Sequence, residues 1–307
     1  MIIYLLIKEF NIKKLLRYLI LFLILPTILN SAPPPPRKHK TNQIFSSQNE
    51  YPANVYLSIP SKVSIKVIDK LRIIESNGIP NHKVGKFPNS GNPHSIKPQK
   101  YNFKIPLNPQ IANKITSLEN PRFNFGIALS GVLFDPLARE YYLGDFKSDW
   151  RYEATSGAIK LGLDTNNAHV QPNGSYHYHG LPRDLESELE LKNKNLHSPL
   201  IGWAADGFPI YGATGYKDNN KYIINKSSYR LKQGKRPTGK SNPGGIYDGT
   251  FINDFYYVKD YGTLDQCNGR LSITPEFPNG TYAYFITDEF PSIPRCFKGT
   301  PSKDFLK

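Results

Sequence analysis

Asn166-Asn-Ala-His169-Val-Gln-Pro172-Asn-Gly174-Ser-Tyr176-His177-Tyr-His179-Gly180 is the stretch on which the reading of this chain turns. Residues 176–179 alternate aromatic and imidazole side chains without a break. On a β-strand such alternation sends both tyrosines to one face and both histidines to the other. The turn ahead of the strand decides where His169 falls. A two-residue Asn173-Gly174 turn pairs His169 with Tyr178 and turns it away from the other two imidazoles. A three-residue loop places Pro172 at the first turn position and Gly174 in the left-handed conformation, and it pairs Gln171 with Ser175 and His169 with His177. Pro172 favours the second form, because its fixed φ suits position i+1 of a type I turn. Val170 then faces Tyr176 and Ala168 faces Tyr178, an apolar side, while Asn167, His169, His177 and His179 gather on the polar side. A slip of one residue scatters both sets.

Three histidines on one hairpin face point to a metal site, and imidazole nitrogen donors suit zinc or copper. Water, His82 or a carboxylate, Asp164 or Asp206, is the expected fourth donor. An open fourth position allows hydrolytic chemistry, and a filled one makes the site structural or metal-carrying. The alternative is a set of hydrogen-bonded imidazoles beside packed tyrosines. Asp206, in Trp203-Ala-Ala-Asp-Gly-Phe-Pro, also reads as ordinary turn chemistry, the better reading there, whereas for Asp164 the two readings are balanced. These two carboxylates are the candidates for a catalytic group.

Outward from the hairpin the pattern stays β-rich. Val55, Leu57, Ile59, Val63, Ile65, Val67, Leu71 and Ile73 alternate until Ser76-Asn77-Gly78 and Pro80 stop the run. Phe123–Leu129, Tyr141–Leu143, Phe255–Val258 and Thr281–Ile286 are short, aromatic and bounded by turn residues. Helix signals are confined to Leu185–Lys194, with Asp184 as a cap candidate, and to Gln110–Leu118. The 26 prolines and 23 glycines exclude coiled coils and helical solenoids, and 13% aromatic residues exclude a disordered chain. The expectation is a mainly β fold, a single β-rich sandwich- or barrel-like domain over residues 51–307 with few short helices.

The formal charge of +14 is unevenly spread: residues 1–40 hold seven Lys/Arg against one Glu. Lys13, Lys14 and Arg17 precede the apolar run Tyr18–Leu25, Pro26 interrupts it, and Asn30-Ser31-Ala32 follows. Residues 1–32 therefore read as a signal peptide or an N-terminal anchor, and residues 33–50, with Pro33–Pro36, as a stiff tether. The remainder is expected in an exported setting, periplasmic, cell-surface or secreted, touching a membrane only through the N-terminal segment if that is uncleaved. In such a compartment Cys267 and Cys296 are expected to form a disulfide, the alternative being two buried thiols. Arg270 and Arg295, beside the cysteines, either bind an anionic substrate or pair structurally, with structure favoured. Residues 217–240 carry eight Lys/Arg against Asp218 alone. That segment reads as a solvated loop before it reads as a docking surface for an anionic polymer, and no nucleic-acid motif accompanies it.

Gly174-Ser-Tyr-His-Tyr-His-Gly180 resembles the signature of the YHYH-domain family. The resemblance covers about residues 75–302 and extends to Asn77–His82, Phe87–Pro93, Phe125–Asp135, Leu161–Val170, Ile201–Tyr211, Tyr247–Phe251, Asp265–Arg270 and Thr274–Tyr282. Ser130 and His94 each stand where the family pattern has Asn. The resemblance implies an exported, histidine-bearing domain without assigning a reaction. It also favours His82 as the fourth ligand, since His82, unlike His94 and His197, falls in a motif block with the other three. The aromatic-His-aromatic-His strand is also similar to the zinc strand of α-type carbonic anhydrases, but there the third histidine follows the pair, so only a ligand device is shared. An exported metal-binding module, a metal-dependent hydrolytic enzyme and a cell-envelope interaction domain with structural histidines are the function classes that remain.

Overall fold

A computed structural model of the chain describes residues 51–307 except 120–121, 193–195 and 219–220. The segments read as signal and tether lie outside the described residues. Strands dominate, with one α-helix among the described residues, Arg183–Glu190. The main sheet has eight strands in the order Gly269–Thr274, Phe277–Phe285, Pro209–Tyr211, Leu200–Ala204, Gly126–Ala128, Leu133–Phe134, Tyr176–Tyr178, Ala168–Val170. Two of its pairings are parallel, Tyr176–Tyr178 with Leu133–Phe134 and Pro209–Tyr211 with Phe277–Phe285; the others are antiparallel. Its end strands do not meet, so of the two architectures expected from the pattern the closed barrel is corrected to an open mixed sheet.

A three-stranded antiparallel sheet, Val63–Ile68, Leu71–Ser76 and Tyr101–Pro106, packs Ile74, Phe103 and Ile105 into the same core as Ile127, Phe134 and Tyr178. The Arg72 guanidinium stacks 3.3 Å over the Trp203 ring, joining the two sheets through a cation–π contact. The centre of the large sheet depends on missing side chains. A Cβ on Gly202 would lie 2.5 Å from the Ile127 carbonyl oxygen, so the neighbouring strands approach only because Gly stands there.

Local expectations fared unevenly. Of the run ending at Ser76 only Val63–Ser76 is a hairpin, whose outer strand leaves Val67 57% exposed, whereas Val55 makes an isolated bridge to Val84 and Leu57 and Ile59 lie in no strand. The helix begins at Arg183, not after an Asp184 cap: Pro182 is its N-cap residue, and Asp184 lies inside the first turn with its N–H donating to Asn166 Oδ1 at 2.8 Å. Gln110–Leu118 forms no helix, because Thr116–Ser117 is drawn into pairing with Cys296–Phe297. The strand expected over 141–143 stops at Tyr141, where Leu143 takes φ 57° in a 3-10 turn. Segment 217–240 is only partly an open loop. Lys221–Ile224 and Tyr229–Leu231 are strands, and Arg236 is buried between Asp248 and Asp254, both within ion-pairing reach. Cys267 and Cys296 are joined in a disulfide with Cα atoms 5.1 Å apart. No helix among the described residues is long and apolar enough to cross a membrane.

Candidate metal centre

The hairpin has the three-residue turn. Gln171 N–H donates to the Ser175 carbonyl at 2.9 Å, and Gly174, at φ +89°, donates to the Gln171 carbonyl at 2.8 Å. His169 pairs with His177, Val170 with Tyr176 and Ala168 with Tyr178. The turn itself is pinned where Lys97 packs against Gly174, whose added Cβ would meet Lys97 Cβ at 2.5 Å.

On the imidazole face the three rings converge through Nε2. His179 Nε2 lies 3.0 Å from His177 Nε2 and 3.0 Å from His169 Nε2. His177 and His179 are buried, and His169 keeps partial access to solvent. Two tautomers are set by the backbone. His169 Nδ1 faces the Leu161 carbonyl at 2.8 Å and His177 Nδ1 faces the Ser175 carbonyl at 3.2 Å, so each Nδ1 carries hydrogen and each Nε2 presents a lone pair to the centre. His179 Nδ1 is buried with no hydrogen-bond partner. Three Nε2 atoms thus share at most one hydrogen while the rings are neutral. Burial keeps them neutral, holding the His177 pKa down at about 3 and those of His169 and His179 below the usual 6.5. The three residues form a metal-capable group whose donor atoms all lie within 4.8 Å of one another. Tetrahedral ligation at ~2.0–2.1 Å spaces nitrogens by roughly 3.3 Å, close to the separations found.

The other face is satisfied within itself. Tyr176 donates to Asp164 Oδ2 at 2.7 Å, and Asp164 also accepts the N–H groups of Gly85 at 2.8 Å and Asn166 at 2.9 Å. Asp164 is therefore the clamp that holds the hairpin to the 82–93 segment, not a ligand, and burial raises its pKa to about 6. His82 is corrected in the same way. Its Nδ1–H donates to Lys83 O at 2.6 Å, its Nε2 accepts the Tyr178 hydroxyl at 2.6 Å, and Ser130 reaches the same hydroxyl at 2.9 Å. Stacked on Tyr178 with ring centroids 5.9 Å apart, it lies on the tyrosine side, away from the three Nε2 atoms. Asp206 accepts Phe208 N–H at 3.3 Å, the turn role, and its Oδ2 also accepts Tyr284 OH at 2.5 Å and Gly299 N–H at 2.8 Å. Arg270 is held by Asn225 and the Tyr216 carbonyl, and Arg295 pairs with buried Glu153 at 2.6 Å. His94 stays outside the group.

Asp135 is the neighbour that sequence reasoning missed. Leu133 pairs with His177, so Asp135, two residues on, lies on the imidazole face beside His179. Its Oδ2 accepts from Gln171 Nε2 at 3.0 Å and from Lys307 Nζ, and Arg122 lies 3.8 Å from Oδ1. Burial would raise its pKa, but the charges of Lys307 and Arg122 outweigh that and hold it below the usual carboxylate range. The only signal available in the sequence was its place at the end of the Phe125–Asp135 block.

A family model described as "YHYH protein" matches residues 102–299, nearly two thirds of the chain. The chain belongs to the YHYH family. No curated protein and no solved structure matches it, so within this family the chemistry has to be argued from the hairpin itself.

Proposed function

We propose that this YHYH protein binds one transition-metal ion, zinc or copper, through Nε2 of His169, His177 and His179. The observation that carries the reading is the crowding of three Nε2 atoms around one point with, at most, a single hydrogen among them. A cation relieves that lone-pair repulsion and accepts all three donors at once, whereas hydrogen bonding among the rings satisfies only part of it. Burial keeps the nitrogens deprotonated and therefore ready to ligate. The signal-like segment ahead of the domain and the Cys267–Cys296 bridge support an exported setting.

The test is elemental analysis of protein purified without an affinity tag, beside a His177→Ala/His179→Ala variant. Stoichiometric zinc or copper in the parent and none in the variant is expected, with metal raising the thermal midpoint of the parent alone. Metal-free parent protein that takes up no ion and gains no stability from added zinc or copper sinks the reading and leaves the histidines a structural role.

A metal-dependent hydrolytic enzyme is the second reading. It is favoured by one observation: among the described residues no fourth His, Cys or carboxylate joins the group, and three protein ligands are the arrangement of catalytic zinc. An ion held there supplies Lewis-acid chemistry. Asp135, held ionised on the same face by Lys307 and Arg122, is a carboxylate able to accept a hydrogen bond there.

A further inference from the structure

The imidazole face continues into a cluster of cations. Arg122, Arg151, Arg295 and Lys307 have side chains between 10% and 28% exposed, and the buried carboxylates among them are Asp135 and Glu153. Glu119, half exposed, is the remaining acid, 3.4 Å from Arg151. The four cations sit in one neighbourhood. Arg122 NH2 donates to Leu137 O at 2.8 Å and Arg295 NH1 to Pro136 O at 2.5 Å, on either side of the segment that Asp135 begins. Lys307 N–H donates to Arg122 O at 3.0 Å, which brings its ammonium onto Asp135. Arg151 feels the charges of Arg122, Arg295 and Asp135, and Lys307 acts on all three imidazoles.

Two features of this cluster are unresolved within the protein. Its charge is in surplus, four cations against Asp135, Glu153 and half-exposed Glu119, and a surplus of charge in a poorly solvated place is costly unless it is met. The Nε atoms of Arg122, Arg151 and Arg295 are each buried with no hydrogen-bond partner. Arg236 shows the closed alternative, with both Nε and NH2 on Asp254; outside the cluster Arg230 Nε is likewise buried without a hydrogen-bond partner, but it stands alone. Guanidinium forks match oxyanions, and several of them together suit a multiply charged group better than a single carboxylate.

We propose that Arg122, Arg151, Arg295 and Lys307 bind a phosphate-type oxyanion, free or as a phosphoester, beside the three histidines. The cations account for the oxyanion alone; only its placement next to a metal rests on the metal-binding reading. A ligand with that group would sit with its charge on the guanidiniums and its remainder towards partly open His169.

Calorimetric titration of the full chain with inorganic phosphate tests this, in metal-free and in zinc-loaded form. Phenyl phosphate is the ester arm and acetate the carboxylate arm. Saturable binding of phosphate or phenyl phosphate is expected, with acetate at least tenfold weaker. The tighter of the first two identifies the source of the group. Arg151→Gln, which gives up the half-exposed Glu119 and the face of the Tyr141 ring, is expected to weaken phosphate about tenfold, and Arg151→Lys to restore part of it. Lys66→Gln, an equal loss of charge at an exposed site on the outer strand Val63–Ile68, is expected to change nothing. No saturable phosphate binding by folded parent protein in either form overturns the proposal. So does equal weakening by Arg151→Gln and Lys66→Gln. Phosphate binding without metal uptake keeps the oxyanion site and discards the metal; metal uptake without phosphate binding does the reverse.

Discussion

The two faces of one hairpin, ten residues from His169 to His179, differ in how completely they are satisfied. On the tyrosine face each hydroxyl has a fixed partner: Tyr176 donates to Asp164, and Tyr178 links Ser130 to His82. On the imidazole face His179 Nδ1, Asn92 Oδ1 and Asp135 Oδ1 have no hydrogen-bond partner, and three ring nitrogens crowd together. Both faces are largely buried, so the contrast is not one of solvent access. Buried polar groups that close on themselves specify a structure, and buried polar groups left open on one side are the candidates for a binding site. His82 belongs to the first kind and His169 to the second, although both stand in the same family blocks.

The comparison breaks most decisively at His169 and Val170. The exchange His169→Val/Val170→His leaves the turn alone and moves the imidazole to the tyrosine face, opposite Tyr176; loss of metal uptake by at least a hundredfold is expected, read by elemental analysis. If the exchange variant still binds one ion with parental affinity, the facing of His169 has no role in ligation.

Acid should act on the two faces with opposite sign. The imidazoles have native pKa values below 6.5, so the unfolded chain takes up protons first. Their contribution is complete above about pH 6.5 and drains away as pH falls towards 3. Asp164 is raised to about 6, so its contribution is present at low pH and lost as pH rises through 6. Urea unfolding of metal-free protein between pH 7 and pH 4 is expected to show falling stability in acid, less steep in His177→Gln and steeper in Asp164→Asn. A parallel dependence in all three proteins would falsify the assignment of these shifts.

Tyr176→Phe removes one donor from buried Asp164 and should cost about 1–3 kcal/mol in denaturant unfolding while leaving metal content unchanged. The smallest effect is expected of His82→Gln, roughly 1 kcal/mol of stability from the broken Tyr178 chain, again at parental metal stoichiometry. Reduced metal content in the His82 variant would return it to the ligand set.

The hairpin was legible because its information is local: alternation gives the faces, and Pro172 with Gly174 gives the register. His82 was misread because membership of a motif block says nothing about which side of a strand a residue approaches, and its partner is a tyrosine hydroxyl that periodicity does not identify. Asp135 could not be found, because a parallel pairing of Leu133 with His177 brings it to the site, and no pattern in either strand announces the other. Gln110–Leu118 has the composition of a helix, yet pairing with Cys296–Phe297 overrode it. The closed barrel failed for a related reason: strand content is visible in a sequence, whereas the order of strands in a sheet is not.

The three imidazoles and the charges around them are assembled over very different lengths of chain. His169 to His179 closes a loop of about ten residues, which forms in roughly 10–100 ns and asks little entropy of the chain. The ion pair of Asp135 with Lys307 spans 172 residues and exists only once the last segment has docked. The three imidazoles can therefore gather early in folding, whereas the charges around Asp135 wait for the distant segment that carries Lys307. On the proposed reading, capture of an ion can precede folding, and discrimination among anions cannot.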